Sequence, residues 1–173
     1  MKPLVGESLV TESQFAKLTQ SIPRLGTFLE IGTWHGVTAA KLADDHPDAI
    51  IISVDPFIGY TGVPCDPNFY VRNRRDNMRC FVGTVQQLIP LWDTQNQFDV
   101  AFVDAVHKYP DALSDLMGAS ALLADGGRIF VHDYDEQQYP GVVQSVEAFC
   151  RQMGFQIVSR TDERRSLVEL ACV

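Results

Sequence analysis

Two apolar runs that each end in an acid and a histidine constrain this chain more than any other feature. They are FDVAFVDAVHKY (Phe98–Tyr109) and GGRIFVHDYD (Gly126–Asp135). Each run has the length of a buried strand. The first is followed by Asp104 and His107, the second by His132 and Asp133. A helical pattern lies between them, so the unit reads strand–helix–strand. A right-handed crossover brings two such strands parallel, with their C-terminal ends at one edge of the sheet. Ligands of open α/β sheets bind outside that edge. Four side chains able to hold protons or metals are therefore expected to converge there.

The rest of the chain repeats the alternation. TESQFAKLTQSI predicts a first helix capped by Thr11 or Ser13. Gly26–Ile31 reads as the first strand, and Val37–Ala43 begins a helix after a glycine-bearing turn. Ile50–Val54 is a β-branched run of the kind covered on both faces. Residues 56–68 form a loop with three prolines and two glycines. Phe69–Asn77 predicts a short helix, Arg79–Val82 a third strand and Val85–Leu91 a helix. The helix predicted over Pro110–Leu123 places Leu113, Leu116, Met117 and Ala121 on one face. After the fifth strand, Gly127–Val131, a stripe of Val142, Val146, Phe149, Cys150 and Met153 marks a further helix. Phe155–Ser159 and Ser166–Cys172, joined by TDERR, predict an antiparallel hairpin. The expected fold is α/β: a Rossmann-like, doubly wound sheet of about seven strands. It is mostly parallel with one antiparallel C-terminal strand, and helices cover both faces.

Composition bounds the function. The 173 residues, 46% hydrophobic and 21% charged, suit one domain over 1–173. Within it, 1–25 reads as an N-terminal helical extension and 56–78 as a substrate or cap loop region. A net charge of −8 without a basic block argues against bulk binding of nucleic acid or anionic membranes. The local exception is Arg72, Arg74, Arg75 and Arg79, read either as a solvated helix face or as a clamp for an anionic substrate group. Cysteines 65, 80, 150 and 172 lack CxxC spacing, which argues against a disulfide framework or zinc finger, and Cys80 and Cys150 fall in apolar patterns. No apolar run reaches signal or transmembrane length. The expectation is a reduced, cytoplasmic protein.

The first turn, FLEIGTWHG, sets Glu30, Gly32, Thr33, Trp34 and Gly36 directly after a strand. Glycine there allows a sharp turn and a close backbone approach to a ligand. The spacing is Glu-x-Gly-x-x-x-Gly, not the GxGxxG of diphosphate-binding folds. An acid in the turn would repel a diphosphate and suit an ammonium group. His35 reads as a local hydrogen-bonding residue. Asp55, at the end of the second strand, is placed to accept from ribose hydroxyls. A nucleoside with a positive tail and no phosphates fits both features, and S-adenosylmethionine is the common molecule of that kind.

On these residues the chain resembles class I S-adenosylmethionine-dependent methyltransferases from about Gly26 onward. More narrowly, VDAVHKYPDALSDL and LLADGGRIFVHDYD resemble methyltransferase family 24, a group of small-molecule O-methyltransferases. Asp104, His107, Tyr109, Asp115, Gly126, Gly127, His132 and Asp133 match its pattern, whereas Ala105 and Val106 replace the usual glycine and acid. The resemblance implies methyl transfer to a small-molecule hydroxyl. It places cofactor contacts at Glu30, Gly32, Thr33, Trp34, Gly36, Asp55, Gly83, Thr84 and Asp104. It implies Asp104, His132 and Asp133 as ligands of Mg²⁺ or another divalent cation, although histidine is a poorer ligand than an acid for a hard ion. His107 matches the general base, a task for which histidine's unperturbed pKa near ~6.5 is suited. The missing acid removes one ligand or base.

Two other readings stand beside this one. Two histidines and a carboxylate are the elements of a non-haem iron site, and thus of a hydroxylase. The third reading is a non-catalytic nucleoside-binding module, in which His107 and the acids are structural. A compact core of this type often closes its site with a neighbour, so a homodimer is expected.

Overall fold

The computed structural model describes residues 2–59, 65–93, 97–163 and 165–172. Helix α1 (Glu12–Ser21) starts at Thr11 with a reciprocal capping box, in which Gln14 N–H donates to Thr11 Oγ1 and Thr11 N–H to Gln14 Oε1. There follow β1 (Thr27–Ile31), α2 (Val37–Asp45), β2 (Ile50–Asp55), α3 (Pro67–Asn73) and β3 (Met78–Val82). Next come α4 (Val85–Leu88) with a 3-10 turn, β4 (Phe98–Val103) and α5 (Tyr109–Leu122). The chain continues through β5 (Leu123–Tyr134), α6 (Pro140–Met153), β6 (Phe155–Arg160) and β7 (Ser166–Cys172).

The seven strands form one sheet in the order β3-β2-β1-β4-β5-β7-β6. β1 through β5 pair in parallel, and β7 runs antiparallel between β5 and β6. The sheet is therefore doubly wound with one antiparallel member, as expected. The winding reverses between the central strands β1 and β4, which puts a ligand crevice outside their C-terminal ends.

Alternation along the strands feeds two cores. Leu29, Ile31, Val103, Ile129 and Val131 face α4, α5 and α6. Phe28, Val100, Phe102 and Phe130 face α1 and α2. At ~25 cal/mol per Å² of apolar surface, each such buried side chain contributes roughly 1.5–3 kcal/mol.

The buried face of α5 differs from the expected one. Ala112, Leu116, Gly118, Ala119 and Leu122 point inward, while Met117 is exposed. The inner face is built from small residues because α4 packs too close for larger ones: a Cβ on Gly118 would press on Val85. On α6, Val142, Val146 and Phe149 are buried as expected, but Met153 is exposed. β5 is longer than its apolar run, since Leu123 already pairs with Phe98 before a bulge. Cys80 and Cys150 are half-buried rather than fully in the core. Of the loop 56–68, residues 60–64 lie outside the described part, as does Arg164 of the TDERR turn.

Candidate active site at the C-terminal edge of the sheet

The two strand ends meet as anticipated. His107 Nε2 lies 2.7 Å from Asp133 Oδ2, and His132 Nδ1 lies 3.2 Å from Asp104 Oδ1. Neighbouring strand residues normally face opposite ways, yet His132 and Asp133 are both 2% exposed. Asp133 resolves this with a left-handed backbone, φ 57°, at a break in the β5–β7 register. Such a conformation is strained for a non-glycine residue and persists only where the surroundings enforce it.

His132 is held from both sides. Its Nε2 faces Gln14 Oε1 at 3.2 Å and its Nδ1 faces the Asp104 carboxylate. Gln14 is fully buried, and its amide nitrogen donates to the Arg165 carbonyl at 2.8 Å. Its oxygen is thereby fixed as an acceptor, so both imidazole nitrogens donate and the ring is a cation. Burial opposes that charge, but Asp104 and Asp133 outweigh it and the pKa is pushed up to about 10. Burial likewise opposes the Asp133 carboxylate, while hydrogen bonds from His107 and His132 hold its pKa well below the ordinary range.

Three residues that sequence reasoning missed complete this wall. The Tyr139 ring stacks on His107 with centroids 4.2 Å apart. Arg165, left-handed at φ 58°, donates from Nη2 to Tyr139 Oη at 2.7 Å and brings Nε within 3.7 Å of Asp133 Oδ1. Gln14 is the third. Its Thr-x-x-Gln context signals a capping box, but nothing in the sequence signals its reach to β5. Gly141 lets α6 close on the His107 loop, since a Cβ there would collide with the His107 carbonyl.

The cofactor half of the expected site lies beside this wall. Gly32 has φ 88°, and a Cβ on it would collide with the Asp104 carbonyl, so the β1 turn and the β4 end touch through bare backbone. Trp34 (φ 46°) and Gly36 (φ 69°) complete a turn with three left-handed residues. Asp55 fixes this turn: Oδ2 accepts from the N–H groups of Thr33 (2.8 Å) and Trp34 (2.9 Å), and Oδ1 from Phe57 N–H (2.6 Å). A carboxylate accepts about four hydrogen bonds, which leaves room for roughly one ribose hydroxyl on Oδ1. The Trp34 indole N–H is buried without a protein partner among the described residues, which fits a ligand acceptor in the turn. Gly83 and Thr84 follow β3, where Gly83 N–H binds the Asp55 carbonyl. Glu30 immediately precedes this turn. It belongs to β1, is 1% exposed, accepts from Ser53 Oγ at 2.9 Å, and burial pushes its pKa up to about 8. Burial thus favours its protonated form.

Two arginines of the 72–79 cluster are engaged away from this edge. Arg75 makes a bidentate pair with Asp44, and Arg79 donates to the Asp76 and Met78 carbonyls at the opposite end of the sheet.

For a metal, the grouped donors are Asp104, His107 and Asp133, with ligand atoms within 4.8 Å of one another. His132 is not among them, because its nitrogens are spent on Asp104 and Gln14. The expected trio of Asp104, His132 and Asp133 also lies together, with His132 Nδ1 3.2 Å from Asp104 Oδ1 and 3.6 Å from Asp133 Oδ2, in contacts that suit a protonated imidazole. The two-histidine iron site would draw on these same side chains, and its second histidine, His132, already faces Asp104 and Gln14. The charges also fit a divalent ion poorly: the two carboxylates already face the His132 cation and Arg165.

A family model of the methyltransferase domain, family 24, matches residues 29–134. The chain belongs to this family. As such it is a class I, S-adenosylmethionine-dependent methyltransferase domain. No curated protein matches the chain in sequence. Among solved structures it is similar to a putative caffeoyl-CoA O-methyltransferase from Staphylococcus aureus, with TM-score 0.72 and 15% identity over 96% of this chain and 86% of that one. It is also similar to the O-methyltransferase TomG from Streptomyces achromogenes in complex with SAM (TM-score 0.67, 19% identity, 95% and 81% covered). The ribosomal protein L11 methylase from Lactobacillus delbrueckii subsp. bulgaricus is a third (TM-score 0.64, 16% identity, 96% and 79% covered). At these identities the likeness establishes the methyltransferase fold. It does not choose an acceptor, because the fold carries small-molecule and protein methylation alike. No helix among the described residues is long and apolar enough to cross a membrane.

Proposed function

We propose that this methyltransferase methylates a hydroxyl oxygen of a small molecule, with His107 as general base and without a metal. The observation that carries the reading is the 2.7 Å contact between His107 Nε2 and Asp133 Oδ2 at the C-terminal edge, next to the Gly32 turn. Asp133 takes the Nε2 hydrogen, which leaves the buried Nδ1 as the nitrogen that would receive the acceptor's proton. S-adenosylmethionine, when bound, supplies a methyl group on a sulfonium that leaves as the neutral thioether. Gly32, Thr33, Trp34 and Gly36 would cradle the cofactor, with Asp55 on its ribose and Gly83 and Thr84 beside its base. Asp104 bridges the two halves through its backbone contact with Gly32 and its bond to His132. His107 takes the proton as the acceptor oxygen bonds to the methyl carbon. Holding oxygen and methyl in line supplies the larger part of the rate.

Divalent assistance is the second reading, favoured by the 4.8 Å grouping of Asp104, His107 and Asp133. Calorimetric titration of the cofactor-stripped protein with S-adenosylmethionine and S-adenosylhomocysteine, with and without Mg²⁺, tests both. Micromolar binding lost in Asp55→Ala and unaffected by Mg²⁺ or EDTA supports the metal-free reading. Binding that needs Mg²⁺ favours the second, and no binding under any condition sinks both. A His107→Ala protein that binds cofactor but no longer turns over separates an enzyme from a nucleoside-binding module. A second copy that closes the site belongs to the same proposal, and light scattering on the eluting protein checks it.

A further inference from the structure

Arg165 stands out among the cations of an acidic chain whose net charge is −8. Arg75 and Arg79 of the 72–79 segment are engaged on α2 and at the far end of the sheet. Arg165 reaches the wall that holds His107. Its backbone is strained into the left-handed region, and its carbonyl is bolted by the buried Gln14 amide. Its side chain is braced three times: Nη2 on Tyr139 Oη, Nε on Gln138 Oε1 at 3.2 Å, and the guanidinium 5.3 Å from the Tyr139 ring centroid. Asp133 joins the two ends of this arrangement, with Oδ2 on His107 and Oδ1 toward Arg165. The Arg165 side chain is still 32% exposed, and Nη1 has no hydrogen bond among the described residues.

A guanidinium fixed in this way has lost its rotamer freedom before any ligand arrives, so less is lost on binding. The Nη1–Nη2 edge of a guanidinium matches the geometry of a carboxylate, which Nη1 and the second Nη2 hydrogen can hold with two parallel hydrogen bonds. In a chain this acidic, an anion would be repelled from the site unless a fixed cation met it. We propose that Arg165 is a specificity-determining residue that selects acceptors bearing a carboxylate near the hydroxyl to be methylated. Tyr139 acts as a positioning residue that keeps Arg165 and His107 at a set spacing. Resting on the proposed methyl transfer, the assignment narrows the acceptor to hydroxy acids.

The test is a binding titration of the intact protein loaded with S-adenosylhomocysteine. The probes are matched pairs, hydroxy acids and their methyl esters, on aromatic and aliphatic scaffolds, beginning with 3-hydroxybenzoate and methyl 3-hydroxybenzoate. At least one acid is expected to bind ten-fold or more tightly than its ester. Arg165→Met should erase that preference and Arg165→Lys should keep part of it. Circular dichroism of each variant guards against unfolding. No acid binding in any pair overturns the assignment, as does equal binding of acids and esters, or a preference that survives Arg165→Met. Binding of S-adenosylhomocysteine is measured first. Its absence counts against the methyl-transfer reading, whereas a missing acid preference counts against Arg165.

Discussion

His107 and Asp133 are 2.7 Å apart, and the contact exists because Asp133 adopts a left-handed backbone beside a buried His132. One carboxylate thereby orients the ring proposed as the base and neutralises part of its neighbour's charge.

Replacing Asp133 with Asn should therefore lower turnover far more than it lowers cofactor affinity. Loss of the oriented base is expected to reduce kcat by ~10²–10⁴-fold. Single-turnover kinetics on the acceptor, paired with titration of S-adenosylhomocysteine, gives the comparison. An equal loss in both would mean that Asp133 is structural.

Gln14→Leu should destabilise the fold by ~1–3 kcal/mol, because it strips a buried donor on His132 of its acceptor. Urea unfolding followed by circular dichroism reads this directly. Wild-type stability in the variant would mean that the His132 contact is not formed in solution.

Stability should fall as pH rises from about 5 toward 10. Glu30 titrates near 4.5 when unfolded and at about 8 when folded, and His132 at 6.5 and about 10. Both folded values are raised, so each group's contribution is complete below its unfolded value and is lost as pH climbs through the folded one. Asp133, whose pKa is depressed, acts in the other direction below about pH 4. Urea midpoints across this range should slope downward. Glu30→Gln should flatten the slope between 4.5 and 8, and an unchanged slope would contradict the assignment.

Gly32→Ala should abolish cofactor binding and cost several kcal/mol of stability. The added methyl meets the Asp104 carbonyl, and the φ of 88° is unfavourable for alanine. Differential scanning calorimetry with and without S-adenosylhomocysteine distinguishes a local defect from global unfolding.

Much of this was legible in the sequence because period and punctuation carry topology. β4 matched its apolar run residue for residue, and Asp104, His107, His132 and Asp133 converged because strand ends of a parallel sheet share an edge. The face of α5 was only partly legible: Leu116 is buried and Leu113 packs against the core as expected, but Met117 looks more apolar than the Ala112 and Gly118 that pack inside. The state of Glu30 was not legible: a residue count places an acid near the turn, but only the pleat of β1 shows that it points beneath Ser53. Gln14, Tyr139 and Arg165 reach the site across contacts between distant segments, and no local pattern encodes those.

The Gln14 amide links helix α1 to both β5 and the Arg165 backbone. During synthesis, the wall proposed as catalytic therefore stays unfinished until β7 inserts between β5 and β6, long after the Gly32 turn has left the ribosome. A nascent chain could hold nucleoside before it could hold an acceptor. Fragments split between α6 and β6 should accordingly regain acceptor binding only when mixed, which makes the closing hairpin a natural place to couple activity to completed folding.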